Sequence, residues 1–232
     1  MSVNESKMPW PKIGSGWTRL PNPDGGPLMQ ATFIRHGKST GNAGVPCHDL
    51  ALIELTDFGH QQAQRIAGDW TQAPSLIVTS PYLRTKQTAA PTIERFPGVP
   101  VEEWPIEEFT YLQPSRWNGT RSAERMPYLE RYWAAADPDY CDGDGAESFA
   151  TLLRRAEAAL ARLAAHPRGP VYVFSHGQFI QAVRSIVTET ELDDRGKMLR
   201  FWRKDEPPAI SNGERVSLAW SGTSWMMDDA GT

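Results

Sequence analysis

Cysteine is scarce in this chain. Its 232 residues contain two, Cys47 and Cys141. Two thiols cannot build a disulfide framework, and neither belongs to a C-x-x-C pair of the kind that holds zinc or exchanges electrons. Both are therefore read as reduced thiols. A long apolar run is also missing. Nothing approaches the roughly 20 residues that cross a bilayer, and the first residues carry no apolar stretch of a secretory signal. The expected location is cytoplasmic, with no membrane partner. Excess positive charge is absent too: 24 Lys and Arg face 28 Asp and Glu, a net charge of -4. A general nucleic-acid binder is usually basic, so no nucleic-acid partner is expected. Any anionic ligand must then meet positive charge gathered locally.

What is present suits a folded α/β body. The length fits one large domain or two small ones, and 40% hydrophobic with 22% charged residues is ordinary for a globular protein. Residues 1–28 are rich in Pro and Gly without helix or strand periodicity, and are read as an extended N-terminal arm. From Met29 the pattern changes. Gln30 to Arg35 reads as a strand ending at a glycine. Thr56 is a candidate N-cap for a helix with Ala63, Ile66, Ala67 and Trp70 on one face. "PSLIVTS" reads as a buried strand, "YLRTKQTAAPTIERF" as a helix broken near Pro91, and "VPVEEWP" as a third strand. The stretch from about 109 to 146 reads as an irregular or helical, aromatic-rich insertion. Beyond it, Phe149, Leu152, Leu153, Ala156, Leu160 and Leu163 mark the clearest helix. "PVYVFSHG", "QFIQAVRSIV" and "ERVSLAW" follow as strand, helix and last strand. Alternating strands and helices predict a three-layer sandwich, with a mostly parallel central sheet, helices on both faces and a cap insertion at about 109–146.

In such a sheet ligands sit at the carboxyl ends of strands. His36 and His176 both close a strand and both precede a glycine. A neutral imidazole there is a capable nucleophile toward phosphorus, and the Arg35 fork suits phosphate oxygens. Arg84 lies just past another strand end, near a helix N-terminus that favours anions. Each residue alone has an ordinary structural explanation, but two such histidines and two such arginines together do not. Phosphate ester cleavage also needs a proton donor. Glu107 and Glu108 follow the third strand; Glu108 shares a side with Ile106, and the apolar neighbours Phe109 and Tyr111 suit a carboxyl that keeps its proton. Glu107 is read as solvated. "GKST" is not a nucleotide-binding loop, because Thr32 stands where that loop needs glycine. The aspartates at 137–144 lack calcium-loop spacing, the other histidines form no ligand set, and no metal site is expected.

The segment "RHGKSTGN" resembles the R-H-G-x-S-x-x-N signature of the histidine phosphatase superfamily, also called the phosphoglycerate mutase-like family. "SPYLRTKQTA", "ESF" before a long helix, and "SHG" follow in matching order, so the resemblance runs from about Met29 to Trp220. It implies a phosphate pocket of Arg35, His36, Arg84 and His176, with His36 becoming a phosphohistidine and Glu108 donating the proton. It further implies substrate contacts from Asn42 and Gln178, support from Glu147 and Ser148, and no metal or organic cofactor. "IEEFTYLQP" departs from the stretch usual around the acid in the mutase branch, which favours a phosphatase acting on a small phosphorylated substrate. A mutase-type phosphotransferase and a non-catalytic phospho-ligand binding module are the alternatives. Edge strands and the arm leave oligomer formation open.

Overall fold

The computed structural model describes residues 29–46, 49–120, 122–166, 169–203 and 209–228. The arm at 1–28 and Cys47 lie outside the described residues. Six strands form one sheet: β1 (Met29–Arg35), β2 (Leu76–Thr79), β3 (Val101–Glu103), β4 (Pro170–Ser175), β5 (Arg215–Trp220) and β6 (Trp225–Met227). Their order is β3-β2-β4-β1-β5-β6. The first four run parallel, and β5 and β6 are antiparallel additions at one edge.

Strand alternation sorts the core into two layers. On one face Ala31, Phe33, Val78, Val171 and Val173 pack in a large cluster with α5 (Phe149–Ala164) and α6 (Gly177–Thr188). On the other face Ile34, Ile77, Tyr172 and Phe174 meet Ile66, Trp70 and Ala89 of the α1 (Asp57–Asp69) and α2 (Leu83–Arg95) side. The expected three layers are therefore present. In α5 all six residues of the expected face are buried. Ser148 caps it by accepting the Thr151 amide.

One local expectation needs correction. α2 does not break at Pro91 but runs through it to Arg95. Its buried face of Thr85, Thr88, Ala89 and Thr92 is held by packing that outweighs one lost backbone bond. Segment 109–146, expected to be part irregular and part helical, contains α3 (Pro114–Trp117) and α4 (Ser122–Ala135). Two short elements went unread: α7 (Asp194–Phe201), capped by Asp193, and the three-residue edge strand β6.

The loop after β1 is fastened to the start of α1. Thr56 is the N-cap: its hydroxyl accepts the Gly59 amide and donates to Lys38 O. The Thr56 amide donates to the same carbonyl, and the Lys38 amide donates to Gln62 Oε1. Backbones come too close here for side chains. A Cβ on Gly37 would stand 2.6 Å from Gly59 O, and one on Gly59 would stand 2.2 Å from Lys38 O. Gly59→Ala should accordingly lower stability by about 1–3 kcal/mol, the range for overpacking a filled site. Urea unfolding at neutral pH checks this, and an unchanged midpoint would mean the loop shifts without strain.

Candidate active site

The two histidines meet because β1 and β4 are parallel neighbours in register, with Arg35 opposite Ser175. The His36 amide then donates to Ser175 O at 3.0 Å. One residue beyond each strand, His36 and His176 lie edge to face with ring centroids 5.2 Å apart. Both are buried.

Hydrogen bonds fix the His36 tautomer. Nδ1 lies 2.8 Å from Gly37 O, a group that can only accept, so Nδ1 carries the proton. Nε2 is left with its lone pair and receives Arg84 Nε at 3.2 Å. Burial first, then the Arg84 and Arg35 charges, push the His36 pKa down to about 3, against a smaller upward pull from Gly37 O. Burial likewise drives His176 well below its usual range, helped by Arg84 and His36. Both rings are neutral at physiological pH.

Several side chains hold this pair. Arg84 is half of a two-point clamp, because its Nη1 donates to Leu50 O at 2.7 Å while its guanidinium lies over the Tyr82 ring. The Thr88 hydroxyl accepts the Gly37 amide. Ser80 Oγ lies 2.7 Å from His176 Nε2 and accepts the Tyr82 amide. His176 Nδ1 is buried with no protein partner, a costly state for an atom that binds nothing.

Glu108 lies across from the histidines. Its Oε1 accepts the Phe109 amide at 3.2 Å and the Gln178 amide at 3.0 Å. The second donor belongs to the first turn of α6, where free N–H groups attract anions. Arg155, from α5, clamps the loop that bears Glu108. It donates to the carbonyls of Pro105 and Glu107 and is paired with Glu147 at 2.5 Å. Glu147 thus supports the loop through Arg155, and Ser148 does its work as the helix cap. Glu107 corrects the reading of a solvated group: its Oε2 is buried, 3.9 Å from Arg155 Nη1.

A cavity of about 340 Å³ opens at these strand ends. Of the residues expected to bind phosphate or substrate, His36, Arg84, Glu108 and Asn42 line it. Asn42 is fixed by its amide oxygen, which accepts from Ser39 and from Asn212 Nδ2. Arg35, His176 and Gln178 are not on its surface. The Arg35 guanidinium packs on Gly177 and donates to Ile210 O, with Nε buried and partnerless. Gln178 contributes its main-chain amide to Glu108 rather than a side chain to the cavity. Ser80, Asn212 and Arg155 were not foreseen. Ser80 alone left a trace in the sequence, since it follows β2 as the histidines follow β1 and β4.

Segment 109–146 forms the outer wall with Phe109 to Leu112, Trp117, Asn118, Thr120 and Arg125. Of its other aromatics, Tyr132 and Trp133 are buried in the core, with Trp133 stacked on Phe201 and Trp202, while Tyr128 and Tyr140 are exposed. Among its arginines, Arg116 pairs with Asp142 and Arg131 lies over Tyr128. Arg121 lies outside the described residues.

The family model of the histidine phosphatase superfamily (branch 1) matches residues 31–214. The chain belongs to this superfamily. No curated protein matches it by sequence. Solved structures share the fold of this histidine phosphatase superfamily member. One described as a mycobacterial hydrolase is 23% identical with a TM-score of 0.68, covering 86% of this chain and 96% of its own. A mycobacterial glucosyl-3-phosphoglycerate phosphatase with VO3 is 22% identical, with a TM-score of 0.68 and coverage of 86% and 97%. A phosphoserine phosphatase mutant from Entamoeba histolytica, in complex with phosphoserine, is 20% identical, with a TM-score of 0.66 and coverage of 87% and 96%. No described helix is long and apolar enough to cross a membrane.

A neutral buried histidine has a consequence for stability. The unfolded chain takes up a proton on this ring below pH 6.5, whereas folded His36 resists until about 3. Stability from keeping it neutral is full at high pH and is lost as pH falls between those values. Between pH 7 and pH 5 the His36 contribution is about 2 kcal/mol. Denaturant unfolding at the two pH values should show His36→Gln losing less stability than the parent by about that amount. An equal loss in both would place a proton on His36 in the folded state.

Proposed function

We propose that the chain is a phosphatase that hydrolyses phosphate monoesters through a phosphohistidine on His36, with no metal ion in the reaction. The observation that carries this reading is how His36 is presented. The ring is neutral, its Nδ1 proton is held by Gly37 O, and its Nε2 lone pair meets Arg84 on a cavity that Glu108 also lines.

In the proposed reaction a phosphoryl group enters between His36 and Arg84. Arg35 and His176 stand off the cavity surface and back this site from behind, with Nε and Nδ1 buried and without a protein partner. His36 Nε2 forms a bond to phosphorus, the bond from phosphorus to the ester oxygen breaks, and Glu108 gives its proton to that oxygen. Its Oε1 is held by two amides, so Oε2 is the exchanging atom. Water then attacks phosphorus and gives a proton to the Glu108 carboxylate. The P–N bond breaks, releasing inorganic phosphate and neutral His36. The protein contributes placement and fixed charge, the main levers in phosphoryl transfer. Segment 109–146 acts as the cap over the leaving group. The names of two neighbours, a glucosyl-3-phosphoglycerate phosphatase and a phosphoserine phosphatase, support hydrolysis of small phosphorylated substrates.

Hydrolysis of p-nitrophenyl phosphate in excess EDTA should persist in the parent protein and fall about 10³-fold or more in folded His36→Ala. Equal turnover in both would remove His36 from the mechanism, and loss of turnover on chelation would remove metal independence.

Glu108→Gln should separate leaving groups. Alkyl phosphates, with poor leaving groups, should slow by about 10²–10⁴-fold, the usual worth of a placed acid, and p-nitrophenyl phosphate by much less. Equal slowing of both ester classes would take the proton-donor role away from Glu108.

A further inference from the structure

The cavity is larger than a phosphate group requires, and its two cationic side chains stand at different places along it. Arg84 is at the His36 end, with Nε on the imidazole. Arg125 comes from α4 and meets the cavity beside Trp117 and Thr120 of the outer wall. Tyr111 lines the same cavity and feels the charges of both Glu108 and Arg125. Burial pushes its phenol up to about 12, Glu108 adds to the rise and Arg125 opposes it. The guanidinium is fixed in place, because Nη1 donates to Thr120 O at 2.6 Å and to Thr120 Oγ1 at 3.0 Å. Arg116 and Arg131 instead serve Asp142 and the Tyr128 ring, so Arg125 is the described arginine of the segment that lines the cavity.

We propose that Arg125 is a specificity-determining residue that binds a second anionic group, a carboxylate or another phosphate, on the organic part of the monoester. Such a group leaves with the alcohol and takes no part in bond breaking. It holds the far end of the substrate while the reacting phosphate sits at His36, and a pre-positioned arginine fork binds planar carboxylates and phosphates equally well. The inference rests on the phosphatase reading for where the first phosphate sits.

The experiment compares matched esters on the full chain carrying His36→Ala, so that nothing turns over. The first pair is 3-phosphoglycerate with glycerol 3-phosphate. The second is 4-carboxyphenyl phosphate with 4-carbamoylphenyl phosphate. A third pair, 1,3-propanediol bisphosphate with 3-hydroxypropyl phosphate, tests a second phosphate in place of carboxylate. Calorimetry should give Kd values about 10- to 100-fold lower for the charged member of at least one pair, the size expected of a charged hydrogen bond. Adding Arg125→Gln should bring that ratio close to one, and Arg125→Lys should keep part of it. The ratio is read within one protein, so a general loss of binding does not mimic the result. If the Gln variant fails to fold, the Lys variant decides, since a ratio unchanged from the parent removes the fork. Equal affinities within all three pairs, or a preference that survives Arg125→Gln, would overturn the proposal. Absence of turnover in the parent protein would count against the phosphatase reading alone, because the Kd ratios stand without catalysis.

Discussion

The amide of His36 donates to the carbonyl of Ser175, one rung past the paired residues of β1 and β4. This bond sets the level at which two chain segments 140 residues apart leave the sheet. Because the strands are parallel and in register, both histidines emerge at the same edge and pack ring against ring. The remainder of the site is arranged around that pair. Arg84 and Ser80 approach from the end of β2, the neighbour of β4 on its far side. Glu108 arrives from beyond β3 and is tied back to the first turn of α6. A sheet of different strand order would scatter the same residues.

Charge is handled locally against an acidic background. The chain as a whole carries -4, yet Arg35 and Arg84 stand beside two buried rings. Neutral imidazoles make this arrangement tolerable, since a buried cation at either ring would repel both guanidinium groups. Burial works against the Arg35 charge, and Glu108 and Glu214 offset that penalty. Glu108 is thus also part of what keeps a cation inside the protein. His36, the two arginines and Glu108 are close enough for the charges of Arg84 and Arg35 to act on His36 and that of Glu108 to act on Arg35.

Much of this was legible in the sequence because the informative signals are local. A β-type run ending in His-Gly marks a strand end wherever it occurs, and His36 and His176 both carry it. Thr56 before a helical pattern marks a cap, and it is one. What escaped depends on distant partners. Nothing near Arg155 says that it reaches the carbonyls of Pro105 and Glu107. Nothing near Gln178 says that its amide, not its side chain, meets the acid. The helix through Pro91 misled because one residue's conformational preference was weighed without the packing of the opposite face. β6 went unread because three residues carry no period to detect. The aromatics of segment 109–146 were ambiguous for a different reason: Trp133 belongs to the core and Trp117 to the cavity wall, and both lie in the same run of rings.

The anchoring of Glu108 also separates it from the outer wall. The carboxylate is held from behind, by an amide of α6, and its loop by an arginine of α5 that is itself paired with Glu147. None of these supports comes from α3 or α4. The cavity-facing side chains of α3 and α4 can therefore change while Glu108 stays where it is, provided Phe109, Tyr132 and Trp133 keep their places in the core. The two parts are mechanically separable: the sheet edge and its supports form a fixed frame, and the outer wall is attached to it as a replaceable panel. A wall grafted from another protein of this fold could be set on the same frame without moving the carboxylate.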